Sequence, residues 1–159
     1  MHRFLRDNFP DVEEATNFLR HLTPSQLSAA VRTWQDPPKT LKELRPDVEP
    51  RGYETKRELY DYLKNAASPG YERHHVIPSH QVYAEYKTPA FWKAHIHHTD
   101  NIVIIPVLRH WMITYMDMNK SSGVILFRDF VARKHWKDQE LIGRHLLEVR
   151  GALIDDPFQ

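Results

Sequence analysis

The run Ile102-Val103-Ile104-Ile105 constrains the fold of this chain more than any other feature of its sequence. β-Branched side chains favour extended backbone, so the run predicts a strand over residues 101–105. Pro106 ends that strand and is suited to the start of a helix. We therefore expect a helix of about residues 107–119, with His110 on a face beside its apolar stripe.

Short, capped helices are predicted on the amino-terminal side of this strand. Thr23-Pro24-Ser25-Gln26 is a capping box with proline at the first helical position, and it predicts a helix of about residues 24–34. Residues 10–22 have apolar side chains at helical spacing, which predicts a second helix packed against the first. Four prolines, at positions 37, 38, 46 and 50, favour an extended linker over residues 36–52.

The rest of the chain is predicted to be mostly helical. A capping box at Thr55 opens a helix that ends near Lys64. A strand at residues 71–78, a short helix at 88–92 and helices near 124–134 and 137–150 complete the prediction. The chain is thus expected to be an α+β protein, mostly helical around two strands and one helix. We divide it into an N-terminal helical segment with its linker, residues 1–50, and a second domain, residues 51–159.

The composition excludes several classes of protein. Cysteine is absent, so disulfides, thiolate zinc sites and cysteine nucleophiles are excluded, and any metal must bind to nitrogen or oxygen. Lys and Arg number 22 against 21 Asp and Glu, which disfavours nucleic-acid binding through bulk charge. No apolar run approaches the roughly 20 residues of a membrane helix. No export peptide is evident, so we expect action in the cytoplasm, with any delivery or secretion by a route without a signal peptide.

Histidine is the unusual residue of this chain, which contains 11. Imidazole binds metals and titrates near neutral pH, so a cluster of histidines is where chemistry is expected. Ordinary structural histidines are the alternative, most of all for the three that precede the predicted strand in a loop (95, 97 and 98). Seven lie in a window of 37 residues: His74, His75, His80, His95, His97, His98 and His110.

His74 and His75 are adjacent on a predicted strand, so their side chains point to opposite faces and need separate roles. Phosphodiester hydrolysis offers two roles: a base that deprotonates water, and a divalent cation that neutralises charge on the phosphate. One histidine can act as the base while another binds the metal. The base also needs an acceptor for its other ring nitrogen, and a carbonyl near Asn101 is the candidate.

Arg73-His74-His75-Val76-Ile77-Pro78, followed by residues 101–105 and His110, resembles the HNH, or ββα-metal, nuclease superfamily. The segments at residues 52–63 and 96–106 are similar to the flanks of HNH-like nuclease modules in bacterial polymorphic toxins. The resemblance covers about residues 52–150, with a long insertion after the histidine pair. It implies an HNH-like core of two strands and one helix around a metal ion, endonuclease activity on DNA and, for a toxin, a cognate immunity protein.

The resemblance also implies roles for individual residues. His74 and His110 correspond to metal ligands, His75 to the general base, and Asn101 to the residue that steadies the base loop. Some members have a further histidine one helical turn after the second ligand, where this chain has Thr114, which argues against a three-histidine, zinc-like site. Two protein ligands with water and phosphate suit Mg²⁺, with Mn²⁺, Zn²⁺ and Ni²⁺ as alternatives.

Substrate contacts are assigned to Arg73 and Arg109, which flank the ligands and have guanidinium groups suited to phosphate, and to Thr114. Surface solvation is the alternative for both arginines. DNA is the expected substrate, and RNA stays open because hydrolysis by external water needs no 2′-hydroxyl. Two other functions also stay open: a catalytically inactive binding module with an HNH fold, and a histidine-rich protein that stores or senses metal.

Overall fold

The computed structural model describes residues 12–64, 68–118, 120–121 and 125–148. Its helices are α1 (Val12–Arg20), α2 (Pro24–Thr33), α3 (Leu41–Leu44), α4 (Lys56–Leu63), α5 (Pro89–Phe91), α6 (Val107–Met118), α7 (Phe127–Ala132) and α8 (Trp136–Glu148). Its strands are β1 (Lys39–Thr40), β2 (Tyr71–His75), β3 (Ile102–Pro106), β4 (Lys120–Ser121) and β5 (Ile125–Leu126). A π-helical turn, Trp92–Ile96, continues α5, and 3-10 turns span Ala84–Tyr86 and Thr99–Asn101. The predicted α+β class is therefore confirmed, and no helix in these ranges is long and apolar enough to cross a membrane.

β3 is the central strand of a three-stranded antiparallel sheet, with β1 on one side and β2 on the other. All five of its residues are buried, which accounts for the unbroken apolar run in the sequence. The strand begins at Ile102 rather than at Asn101, because Asn101 is the last residue of the preceding 3-10 turn. Pro106 is its final residue, opposite Tyr71, and cannot donate a further hydrogen bond to the ladder.

The two faces of β3 are covered by different parts of the chain. Because side chains alternate along a strand, Val103 and Ile105 share one face while Ile102 and Ile104 share the other. The first face packs against α6, α7 and α8, and the second against α3 and α4. The first cluster also includes Ile113, Val131 and Leu146, and the second includes Leu41, Leu59 and Leu63.

α6 follows β3 without a loop, so β2, β3 and α6 form a compact unit of two strands and one helix. The N–H of Val107 donates to the carbonyl of Gly70 at 2.9 Å, which ties the start of α6 to the turn before β2. Gly70 has a φ of +91°, and a Cβ at this position would lie 2.9 Å from the carbonyl oxygen of Ala29. Glycine is therefore required here by the backbone conformation and by the closeness of α2.

The two N-terminal helices pack against α6. Leu19 of α1, Ala30 of α2 and Leu108 of α6 form one buried cluster. Beside it, Phe18 stacks on Trp111 with ring centroids 5.2 Å apart. The helix that contains His110 is thus held between the sheet on one side and these helices on the other.

Three predicted elements need correction. The linker predicted at residues 36–52 contains structure, because β1 pairs with β3 and Thr40 caps α3. The helix predicted near residues 124–134 begins only at Phe127, because residues 125–126 pair with β4. The strand predicted at residues 71–78 ends at His75; beyond it, the N–H of Val76 donates to the backbone carbonyl of Asn101 and that of Ile77 to the Asn101 side chain.

Candidate active site

A cleft of about 290 Å³, here called the histidine cleft, lies beside the end of β2. Its walls come from α4, β2 with the loop that follows it, α6, α7 and α8. Four of the histidines from the sequence window line it: His74, His75, His80 and His110. The fold therefore gathers four histidines that are up to 36 positions apart in the chain into one concave site.

His74 and His110 face each other across the junction of β2 and α6. Their ring centroids are 5.3 Å apart and their planes are inclined by 72°. Two imidazoles bound to one ion through bonds of about 2.0–2.1 Å would have ring centroids roughly 5 Å apart, so the observed separation is compatible with a shared ion. Glu72, two residues before His74 on β2, forms an ion pair with Nδ1 of His110. That contact leaves Nε2 of His110 as the nitrogen able to bind an ion.

His75 lies on the other side of β2 and has different neighbours. Its ring centroid is 5.8 Å from that of His97 and 6.3 Å from that of Tyr60. Its Nε2 is buried and has no hydrogen-bond partner among the described residues. The acceptor expected from a carbonyl near Asn101 is therefore not found at this nitrogen.

The environment keeps both histidines of the pair neutral. Burial, reinforced by the neighbouring His110 and His75, lowers the pKa of His74 to about 3. Burial, reinforced by His97 and Lys56, lowers the pKa of His75 to about 3 as well. Both rings are therefore neutral at pH 7, which is the form of imidazole that can bind a metal ion or accept a proton.

Asn101 is buried and holds the chain segment that follows His75. Its Oδ1 accepts the N–H of Ile77 at 2.7 Å, while its Nδ2 donates to the carbonyls of Ile77 and Ile96, both at 3.0 Å. Its backbone carbonyl also accepts the N–H of Val76 at 2.9 Å. The Val76 bond continues the β2–β3 register by one pair, and the side-chain bonds of Asn101 then hold Ile77 beyond the end of β2.

The predicted substrate residues have separate locations. Arg73 lines the histidine cleft, with its guanidinium carbon 4.1 Å from the Tyr60 ring centroid and Nη1 donating to the carbonyl of Lys64 at 3.0 Å. Arg109 is not among the residues that line the cleft; its Nη1 donates to the carbonyl of Leu147 at 3.0 Å, in a separate pocket. Adjacent helical residues point about 100° apart, so Arg109 and His110 cannot share a direction. Thr114 has its backbone in α6, but its side chain lies outside the described part of the molecule.

Several residues in or beside the cleft were given no role of their own in the sequence analysis. His80 and Asp129 form a pair at 2.8 Å that joins the loop after β2 to α7. Lys56 and Arg128 bring positive charge from α4 and α7. Lys56 was visible only as part of a capping box, and nothing local in the sequence indicates that α7 faces β2.

Of the remaining histidines of the window, His97 lies against His75, and its buried Nδ1 has no hydrogen-bond partner among the described residues, whereas His95 and His98 have other neighbours. His95 stacks near Trp136, with ring centroids 4.1 Å apart, and Nδ1 of His98 accepts the N–H of Asp100 at 3.1 Å. Within the described ranges, no group of three or more His, Asp or Glu side chains is placed to hold a metal ion. A cation in the histidine cleft would therefore depend on two imidazoles, with water and substrate completing its coordination.

No protein-family model, curated protein or solved structure matches this chain.

Proposed function

We propose that this protein is a metal-dependent endonuclease of the HNH type that hydrolyses phosphodiester bonds of DNA. The observation that carries the proposal is the approach of His74 to His110, with ring centroids 5.3 Å apart, in the same cleft as the neutral imidazole of His75. This arrangement offers a binding site for a cation and a separate base, which are the two requirements of phosphodiester hydrolysis.

The donor atoms fit a divalent cation that keeps part of its water shell. Two neutral imidazoles, one of them oriented by Glu72, are suited to Mn²⁺, Zn²⁺ or Ni²⁺ as well as to Mg²⁺, and a two-ligand site leaves room for a phosphate oxygen. When bound, such an ion would neutralise charge on the phosphate and on the leaving oxygen. Mg²⁺ is our first choice because hydrated Mg²⁺ needs few protein ligands.

The other roles in the reaction are assigned to side chains in and beside the cleft. His75 takes a proton from a water molecule as the water oxygen bonds to phosphorus, and the bond from phosphorus to the departing oxygen breaks. Asn101 fixes the segment after His75 and so limits the positions that the ring can adopt. Arg73 adds positive charge beside the substrate phosphate, with its guanidinium plane held against Tyr60.

The unit of β2, β3 and α6 has the order of elements that an HNH nuclease core requires. For that reason we propose the role of an antibacterial toxin domain, or of a stand-alone relative of one, acting in the cytoplasm of the target cell. A toxin of this kind would have a cognate immunity protein in the producing cell. RNA remains a second substrate to test, since water rather than a 2′-hydroxyl is the nucleophile.

Plasmid nicking tests the proposal. The wild-type protein should convert supercoiled plasmid to the nicked form in Mg²⁺ or Mn²⁺ and stop when EDTA is added. The variant His75→Ala should lose this activity while retaining its circular dichroism spectrum and melting temperature. His145→Ala is the matched control, because His145 is exposed on α8 and is not a lining residue of the cleft. A wild-type protein that nicks with none of the four metals would overturn the proposal.

A catalytically inactive binding module with the same fold is the second candidate function. It is favoured by one observation, that the described residues contain no group of three potential metal ligands. The module would bind DNA or a protein without nicking at any metal concentration. Substitution of its histidines would then change the binding affinity or the stability, and no variant would nick DNA.

A further inference from the structure

We propose that Arg128 is the residue of the histidine cleft that binds the substrate phosphate, an assignment that rests on the proposed nuclease function. Arg128 lies on α7 and lines the cleft together with His75 and His110. Its Nε is buried and has no hydrogen-bond partner among the described residues. A guanidinium that presents an unpaired donor in a cleft lined by four imidazoles is suited to an incoming anion.

A buried N–H without a partner destabilises the folded protein, so its presence needs an explanation. Two exposed arginines of the described chain are paired with acids: Arg45 binds Asp47 at 3.0 Å, and Arg144 binds Glu140 at 2.9 Å. The donor of Arg128 is instead left free inside a concave site. A ligand that brings oxygen acceptors into the cleft would satisfy it.

The other charged groups of the cleft indicate what that ligand is. Arg73 is already held by Tyr60 and a backbone carbonyl, and the Lys56 ammonium lies 5.2 Å from the same Tyr60 ring. The two nearby carboxylates are engaged by histidines, Glu72 by His110 and Asp129 by His80. Three cationic side chains therefore surround the site while the acids are paired, which favours an anion.

A phosphodiester is the anion that matches this geometry. The guanidinium fork can donate to two oxygens of one phosphate, which an ammonium cannot do. Arg128 stands on α7, whereas Arg73 and Lys56 stand on β2 and α4, so a phosphate in the cleft would meet cations from different elements. We assign to Arg128 the non-bridging oxygens of the phosphate that is cut.

DNA binding without cleavage tests this assignment. The affinity of the wild type for a short, labelled DNA duplex is measured in EDTA by fluorescence anisotropy over a series of salt concentrations, and compared with that of Arg128→Gln. Loss of one phosphate contact should weaken binding roughly tenfold or more. It should also reduce the slope of log affinity against log salt by about one. Arg144→Gln is the control and should change neither, because Arg144 does not line the cleft.

The variant Arg128→Lys separates the effect of positive charge from that of the guanidinium shape. It should retain the salt slope while losing affinity and turnover, since lysine lacks the fork. A folded Arg128→Gln with the affinity of the wild type would overturn the assignment, as would weaker binding with an unchanged salt slope. If the wild type binds DNA through Arg128 but never cleaves it, the phosphate contact is supported. Only the nuclease proposal is then overturned.

The wild-type protein provides a measurement that does not depend on the folding of any variant. Arginine Nε–H resonances can be followed by two-dimensional NMR during titration with a deoxydinucleotide in EDTA. The Arg128 resonance should shift with saturation, whereas that of Arg144 should stay in place. An Arg128 resonance that does not respond to the dinucleotide would overturn the assignment.

Discussion

At the scale of single residues, the pair His74 and His75 shows how adjacent side chains acquire different chemistry. The alternation of side chains along β2 turns His74 toward His110 and His75 toward His97. Both rings are neutral because burial lowers their pKa values, but their nearest imidazoles differ: His110 for His74, at 5.3 Å between ring centroids, and His97 for His75, at 5.8 Å. The two residues should therefore respond differently to mutation.

His75→Ala should reduce the nicking rate by about 10²–10⁴-fold, the usual contribution of a general base, with little change in metal affinity. His110→Ala should weaken both, because it removes one of the two imidazoles available to the ion. Calorimetric titration with Mn²⁺ and nicking rates at saturating metal measure the two effects. Equal loss of Mn²⁺ affinity in both variants would contradict the division of roles.

Asn101→Ala should destabilise the protein by about 1–3 kcal/mol, because it leaves the N–H of Ile77 and the carbonyls of Ile77 and Ile96 unpaired in a buried site. Urea unfolding followed by circular dichroism measures the change. Asn17→Ala, on the exposed side of α1, is the control and should change stability by less than about 0.5 kcal/mol. An Asn101→Ala variant as stable as this control would show that the amide does not hold the segment after His75.

At the scale of elements, the parts predictable from the sequence are those whose cause is local. The strand β3 follows from its own β-branched residues, and α2 from the capping box in which Thr23 and Gln26 exchange hydrogen bonds. The end of β2 was not predictable, because the residues that follow it bond to Asn101, 26 residues further along the chain than His75. β1 was not predicted, because the prolines around it favour a linker and because its pairing with β3 depends on the whole sheet.

The same distinction between local and long-range causes applies to the candidate active site. His74, His75 and His110 were singled out by the histidine-rich window and by the resemblance to HNH nucleases, and the structure places all three in one cleft. Lys56 and Arg128 were missed because their place in the cleft depends on how α4 and α7 pack, which no local pattern specifies. Arg109 was assigned to substrate from its position next to His110, although a helix turns neighbouring side chains apart.

Gly143 of α8 provides a test of how closely the elements approach. A Cβ at this position would lie 2.1 Å from the backbone carbonyl oxygen of Val76, the residue after His75. Gly143→Ala should therefore destabilise the protein by about 1–3 kcal/mol, despite the higher helix propensity of alanine, and should lower the nicking rate by displacing His75. Urea unfolding and nicking rates measure both effects. Leu141→Ala, at a site 67% exposed on the same helix, should change neither appreciably.

At the scale of the whole molecule, the N-terminal helices, the sheet and α6 to α8 all contribute to holding the histidine cleft in shape. Packing of Leu19 and Ala30 against Leu108 stabilises the helix that contains His110, while α8 closes on the loop after β2. Because the cleft is enclosed, the imidazoles of His74 and His75 are held in the neutral form. Folding of the whole chain should therefore depend on pH.

The sign of that dependence follows from the pKa values. An unfolded histidine has a pKa near its ordinary 6.5, whereas His74 and His75 have pKa values of about 3 in the folded protein. Above pH 6.5 the two rings are unprotonated in both the folded and the unfolded chain. In that range they therefore do not make stability depend on pH. Between about pH 6.5 and 3 only the unfolded chain takes up protons, so acid should lower the free energy of unfolding by up to about 1.4 kcal/mol per pH unit for each ring.

Urea unfolding at pH 7.5, 6.5 and 5.5 in EDTA, so that no metal is bound, measures this loss of stability. His75→Gln should show a smaller slope because one of the two imidazoles with a folded pKa of about 3 is gone, while His145→Gln should keep the slope of the wild type because His145 is exposed. A wild type equally stable at pH 7.5 and 5.5 would mean that the rings accept protons in the folded state. In that case the cleft would hold charged rather than neutral imidazoles in acid, and the loss of metal binding, not unfolding, would set the lower pH limit of nicking.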